Sequence, residues 1–279
     1  MRQYISQNDI DRNGILTIAG KDFRYLHGVL RLKTGDMIQV RLPAGGLQPM
    51  TVCAIEEKAK KITLQVCDVA AGAKIENQPE ETEAIESSEF TLFMAVPKAS
   101  KFEQVVRQAT ECGVARIVPV KTEFSQTGAE KMNFRSERFE KIIKEARQQS
   151  GSPVNTKIES CLSLKEAAGL WMRETENLSG AEKLAVVLYE RNDSTVSMKV
   201  ALDRCKNQTQ AESENSPGLK KIALFCGSEG GISPDEIHFL QESGFTAVHL
   251  KTNILRCETA ALYGISAMQT LIANFLPLC

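Results

Sequence analysis

Three short stretches carry residues whose types and spacing suit them to hold a ligand. In Leu224-Phe225-Cys226-Gly227-Ser228-Glu229-Gly230-Gly231-Ile232-Ser233-Pro234-Asp235-Glu236 an apolar run ends in a turn with three glycines in five residues. Glycine lets the backbone approach a bound group closely and leaves N–H groups free to bond it. A helix start follows at once: Ser233 fits the N-cap, Pro234 the first helical position, and Glu236 the far side of a capping box. The same glycines also suit a tight strand-to-helix turn that needs them for geometry alone. The spacing matches neither G-x-G-x-x-G nor G-x-x-x-x-G-K-[ST], so neither a Rossmann dinucleotide site nor a P-loop is supported.

The second stretch is Val248-His249-Leu250-Lys251-Thr252-Asn253-Ile254-Leu255-Arg256-Cys257-Glu258-Thr259-Ala260-Ala261-Leu262. Here a polar turn again follows a strand-like run, but it encloses an apolar pair, Ile254-Leu255, and then Arg256. Such a pair could wall a flat ring such as adenine while the turn's backbone bonds the ring edge. It could equally plug the core, with Glu258 favouring the positive end of the next helix. In the third stretch, Val96-Pro97-Lys98-Ala99-Ser100-Lys101-Phe102-Glu103, two lysines flank a helix start, a place to hold phosphate or simply solvated surface. Metal chemistry is not indicated. The three histidines, His27, His238 and His249, are far apart, and the eight cysteines contain no C-x-x-C pair and sit partly inside apolar runs, as small reduced hydrophobes do.

Positioning such loops requires a sheet. From residue 90 onward, apolar runs at 91–96, 115–120, 184–188, 222–226 and 247–250 alternate with amphipathic segments at 101–112, 136–150, 164–176, 234–243 and 258–275. Strands that are apolar throughout, separated by helices, indicate an α/β domain with a mostly parallel sheet covered on both faces. Ligands bind such sheets at the carboxyl ends of the strands, which is where the two glycine- and polar-rich turns fall. Residues 1–72 read differently. Short strands at 14–18, 36–42, 50–55 and 61–69 with one helix over 22–32 suggest a small β-barrel module. Residues 73–89 are Glu-rich and nearly devoid of large apolar side chains, as an acidic linker would be. Residues 90–279 then form the second domain, with a polar surface loop at 207–219.

The 279 residues carry 34 Lys and Arg against 35 Asp and Glu, a formal charge of −1. That balance excludes a uniformly basic nucleic-acid binder and leaves room for a local basic patch. No stretch approaches the twenty or so apolar residues of a membrane span, and the first residues lack a signal peptide's apolar core. A cytoplasmic protein with reduced thiols is expected.

Taken together the stretches resemble one family. Residues 98–114 resemble its K-G-x-K-x-[ED] segment ending in A-T-E-L-G-V, 227–236 its G-P-E-G-G-x-S-x-x-E, 254–260 its I-L-R-x-E-T-A, and 29–36 its V-L-R-L-K-x-G-D. This is the ribosomal RNA small subunit methyltransferase E family of the SPOUT superfamily, and the match runs through nearly the whole chain in order. The resemblance implies a PUA-like barrel over 1–72, a deep trefoil knot in the domain over 90–279, and a homodimer through that domain. It implies S-adenosylmethionine as methyl donor and N3 of a uridine in 16S rRNA as acceptor. The donor would then sit on Leu188, Glu190, Gly227, Ser228, Glu229, Gly230, Gly231, Leu250, Asn253, Ile254, Leu255, Arg256 and Thr259. Arg256 would stabilise charge developing on the uracil, and Glu229 would orient it or take a proton. Arg2, Arg24, Arg31, Lys33, Lys98 and Lys101 would meet the RNA.

The chain departs from the family pattern at the presumed RNA-facing rim. Phe124 stands where T-E-R-S has arginine, Gln148 and Ser152 replace a glutamate and an arginine of E-A-x-E-Q-[SC]-x-R, and Lys251 replaces the glycine of L-G-x-x-I-L-R. Two other readings therefore stand beside the first: a knotted methyltransferase acting on a tRNA base or a ribose 2′-hydroxyl, and a non-catalytic RNA-binding relative.

Overall fold

The computed structural model describes residues 3–67, 88–128, 133–134, 136–191, 195–207 and 218–275. Arg2, residues 73–87 of the expected linker and 208–217 of the expected surface loop lie outside the described residues. The chain forms two units, Met1–Asn77 with Arg147–Pro153, and Gln78–Ala146 with Val154–Cys279.

The first unit is built on strands β1 (Gln3–Ile5), β2 (Ile15–Ala19), β3 (Met37–Arg41), β4 (Leu47–Glu56) and β5 (Lys61–Val66) in the order β1-β3-β4-β5-β2. Alternation puts Ile38, Val40, Met50, Val52, Ile62, Leu64, Leu16 and Ile18 on one face, where all are buried. The ladders hold these residues opposite one another, as in Val52↔Leu64 and Leu64↔Leu16, with a bulge between Val52 and Ala54. The single helix expected over 22–32 is replaced by one α-turn, α1 (Gly20–Phe23), running into a π-helical segment (Arg24–Val29) closed by Leu30 N–H on the Tyr25 carbonyl. The wider turn keeps both Phe23 and Leu26 in the core.

Residues 147–153 were expected in the second domain and group with the first unit instead. The buried Gln3 amide explains this: its nitrogen donates to the carbonyls of Arg147 (3.0 Å) and Ser152 (3.1 Å), and its oxygen accepts from Arg41 Nε (2.8 Å). Gln148 and Ser152, read from sequence as rim positions, are accordingly 3% and 7% exposed. They are buried in the chain and not exposed at a rim.

The second unit carries β6 (Glu89–Ala95), β7 (Arg116–Lys121), β8 (Lys157–Ile158), β9 (Leu162–Ser163), β10 (Lys183–Leu188), β11 (Lys221–Cys226) and β12 (Thr246–Val248). The order is β12-β10-β11-β6-β7-β8, with β9 also on β7, and every pairing is parallel. Successive residues feed opposite faces: Leu92, Met94, Val186 and Leu224 pack on one side, Phe93, Ala95, Val187 and Phe225 on the other. Helices α2 (Ala99–Glu111), α3 (Glu137–Ser150), α5 (Met198–Lys206) and α7 (Cys257–Phe275) send Phe102, Phe139, Leu202 and Ile265 to the first face. Helices α4 (Leu164–Glu174) and α6 (Pro234–Glu242) send Trp171 and Leu240 to the second. Each large apolar side chain so buried contributes about 1.5–3 kcal/mol. Among the described residues no helix is long and apolar enough to cross a membrane.

One charged cluster ties the amino-terminal edge of this sheet. Glu174, at the end of α4, accepts from Arg116 Nη1 (2.6 Å) and Lys221 Nζ (3.0 Å), and Arg116 Nη2 meets its second oxygen. The bonds from Arg116, working against burial, and then those from Lys221, bring its carboxyl down to about 2. The folded form therefore gains stability from this carboxylate above the ordinary glutamate range and loses it as pH falls from about 4.5 toward 2. Glu174→Gln should lower unfolding free energy by about 1–2 kcal/mol at neutral pH, screening by solvent included. Urea unfolding at pH 7 and at pH 3 checks this, since the deficit should shrink at the lower pH.

Candidate active site

Strands β11, β10 and β12 are neighbours, and their parallel register sets Val187 beside Phe225 and Leu188 beside Val248. Their carboxyl ends therefore open onto one place. The loops that follow enclose a cavity of about 260 Å³. Leu188, Tyr189 and Glu190 come from the end of β10. Residues 226–231 come from the glycine turn, and Val248, His249, Leu250, Thr252, Asn253, Ile254 and Leu255 from the loop after β12; Cys257 and Ala260 of α7 complete it.

The glycine turn is shaped by backbone. Gly231 N–H donates to the Ser228 carbonyl (3.0 Å), and Gly231 holds φ +76°, a left-handed conformation that favours glycine. A Cβ on Gly227 would stand 2.8 Å from the carbonyl carbon and oxygen of Gly231, so the two segments touch through bare backbone. The capping box read from sequence is present: Ser233 Oγ accepts from Glu236 N–H, and Ser233 N–H donates to Glu236 Oε2. Glu236 Oε1 also accepts from Glu123 N–H (2.8 Å). One carboxylate thus starts helix α6 and anchors the loop that carries Phe124.

Of the thirteen residues expected to hold a donor, eleven line this cavity; Arg256 and Thr259 do not. The helix start explains the difference. Cys257 and Ala260 share the face of α7 that meets the cavity, and positions 256 and 259 are rotated about 100° from it and exposed. Arg256 nonetheless lies between two lining residues, Leu255 and Cys257, with its side chain in solvent.

Lys101 was expected to meet RNA; in the fold it is paired with two carboxylates. Its ammonium lies 3.2 Å from Glu258 and 3.9 Å from Glu229, with its side chain 25% exposed. Two carboxylates occupy it, so it ties α2 to the glycine turn and to the start of α7. Burial pushes the Glu258 carboxyl up, yet its own backbone N–H, the Cys257 thiol and Lys101 outweigh this and hold it below the ordinary carboxylate range. Glu229 Oε1 also accepts from Lys98 N–H (3.2 Å), which gives this carboxylate a bracing role. The Lys98 side chain is exposed, as are Arg24, Arg31 and Lys33 in the first unit.

Tyr189, His249, Thr252 and Cys257 also line the cavity; they fall in or beside the stretches singled out from sequence but were not among the residues expected there to hold a donor. His249 Nδ1 is buried and has no hydrogen-bond partner among the described residues. Burial raises both cavity thiols, Cys257 to about 12 and Cys226 likewise upward, which disfavours the thiolate at neutral pH.

Residues 85–269 match the sequence model of a family described as the RNA methyltransferase domain. The chain belongs to this family. Among RNA methyltransferases it is 26% identical to "Ribosomal RNA small subunit methyltransferase E 2" of Borreliella burgdorferi over 99% of both chains. It is 28% identical to "Ribosomal RNA small subunit methyltransferase E" of Synechocystis over 93% of this chain and 74% of that one. The fold matches that of the Neisseria gonorrhoeae ribosomal RNA small subunit methyltransferase E bound to S-adenosyl methionine, with a TM-score of 0.70 at 21% identity, over 99% of this chain and all of that chain. The family resemblance read from the motifs of this RNA methyltransferase therefore holds.

Proposed function

We propose that this chain is an S-adenosylmethionine-dependent methyltransferase that modifies N3 of a uridine in 16S rRNA. The observation that carries the reading is the convergence of three strand-tip loops on one cavity inside the family-matched region. Its walls suit an adenosyl sulfonium. Leu188, Ile254 and Leu255 offer apolar surface to a flat ring, and bare backbone at Gly227 and Gly231 allows close approach. Glu190 and Glu229 in the wall complement a cation.

When bound, S-adenosylmethionine supplies a methyl group on a positively charged sulfur that leaves as a neutral thioether. The chain's own task is then orientation and field. Uridine N3 carries a proton at neutral pH, and the acceptor becomes nucleophilic as that proton leaves. Arg256, exposed beside the cavity, is placed to stabilise the negative charge left on a uracil oxygen, with Glu229 as brace of the glycine turn.

The finer architecture belongs to the same reading. A trefoil knot in the domain over 90–279 rests on the motif resemblance. A PUA-like barrel is supported by the five-stranded sheet of the first unit, where Arg24, Arg31 and Lys33 are exposed and Arg31 adopts a left-handed φ of 57°. Their phosphate contacts would be salt-sensitive and blind to sequence. The homodimer through residues 90–279 rests on the motif resemblance, and the cytoplasmic location on the cysteines read as reduced thiols.

The test is direct. The purified chain, given labelled donor and 16S rRNA or small subunits lacking the mark, should yield one N3-methyluridine by nucleoside mass spectrometry. A ribose 2′-O-methyl product or labelled tRNA would replace the substrate; donor binding without any product would leave the non-catalytic relative.

A further inference from the structure

Phe124 is 44% exposed, and its place is unusual for an exposed phenylalanine. It lies in the loop after β7, packed on the cavity's glycine turn. A Cβ built on Gly230 would fall 2.7 Å from Phe124 Cβ and 3.1 Å from its Cγ, so the side chain rests on the bare Cα of a cavity-lining residue. Both flanks of the residue are fastened. The Phe124 carbonyl accepts from Ser228 Oγ (2.6 Å), and the preceding Glu123 N–H donates to Glu236 Oε1 (2.8 Å). Ser125 Oγ closes the loop by accepting from Thr122 N–H (2.9 Å). The loop is built to hold an aromatic ring still at the edge of the cavity, with part of its surface left in water.

An RNA base that is to be methylated on its Watson–Crick edge must leave its stack, and its exposed faces must then be covered. Aromatic rings and guanidinium planes both do this in RNA recognition. We propose that Phe124 is the stacking platform for the acceptor base, a substrate-contacting residue that fixes the base beside Gly230 at the mouth of the cavity. The inference rests on the RNA methyl-transfer reading and adds the residue that seats the acceptor. It also accounts for the departure at this position: phenylalanine in place of arginine keeps a planar surface and removes a charge.

Steady-state methylation of rRNA by wild type, Phe124→Ala, Phe124→Trp and Phe124→Arg, with donor affinity measured separately by calorimetry, tests this. Phe124→Ala should raise KM for RNA about tenfold or more, with the donor dissociation constant within twofold of wild type. Phe124→Trp should restore KM, and Phe124→Arg should retain activity with a steeper dependence on salt. An unchanged KM for RNA in Phe124→Ala overturns the inference. So does a loss confined to donor affinity, or a change of oligomeric state on size-exclusion chromatography, because the ring would then be cavity wall or subunit contact. If the wild type itself transfers no methyl group to RNA, the functional reading fails first and takes this inference with it; an active wild type with an indifferent Phe124→Ala sinks the inference alone.

Discussion

Alanine at Gly227 should weaken binding of S-adenosylmethionine by about one to two orders of magnitude while leaving the fold in place. The added Cβ would meet the carbonyl carbon and oxygen of Gly231 at 2.8 Å, a separation that real Cβ contacts do not show. Both atoms are backbone, so no rotamer change relieves the clash. The turn would have to open at the Gly231 N–H to Ser228 carbonyl bond, which is what shapes it. Overpacking of this kind costs about 1–3 kcal/mol. Here the strain falls on the turn that forms the cavity wall, outside the sheet's core, so it appears in ligand affinity more than in global unfolding. Gly218→Ala is the matched control, since a Cβ there meets nothing within 4 Å. Calorimetry of both variants checks the argument. A Gly227→Ala protein that binds the donor as wild type does would remove the glycine turn from the donor site.

That prediction is possible because the sheet was readable from composition. Strands β6, β7, β10 and β11 are apolar on both faces, since helices cover both sides, and a continuous apolar run between helical periods has few other solutions. The glycine turn and the Ser233–Glu236 box are local features, written in consecutive residues, and the structure shows the box as expected. What sequence could not show is tertiary. The two-residue strands β8 and β9 carry no period to detect. Helix α5 is nine residues long beside a polar segment, and its Ser197 cap lacks the glutamate that would have flagged it. Lys101 looked like a phosphate ligand because Glu229 and Glu258 are remote in the chain; only the fold brings both carboxylates to it. Gln148 and Ser152 looked like rim residues because they replace a glutamate and an arginine of the family pattern, whereas in the fold the Gln3 amide bonds the carbonyls of Arg147 and Ser152. His249 and Phe124 belong to the same class. The role of each depends on what β12 and the glycine turn place next to it.

Arg256→Ala should reduce methyl transfer by about 100- to 1000-fold, with donor affinity within about twofold of wild type. The separation follows from where the side chain stands. Leu255 and Cys257 line the cavity, so the backbone on either side of Arg256 belongs to the donor's wall, while its guanidinium is exposed and contributes nothing to that wall. Removing it leaves the wall intact and removes a permanent cation from the approach of the acceptor. That cation matters only while charge accumulates on the uracil as N3 loses its proton, which makes its effect a transition-state effect, seen in kcat and not in donor binding. A pH series sharpens the test. Toward alkaline pH the base loses its N3 proton unaided, so the rate of the variant should climb while that of the wild type levels off, and the gap between them should narrow. Arg256→Lys, which keeps the charge and loses the planar fork, should fall between the two. Equal turnover in Arg256→Ala and wild type at neutral pH, or a gap that does not change with pH, would assign stabilisation of the uridinate to another group.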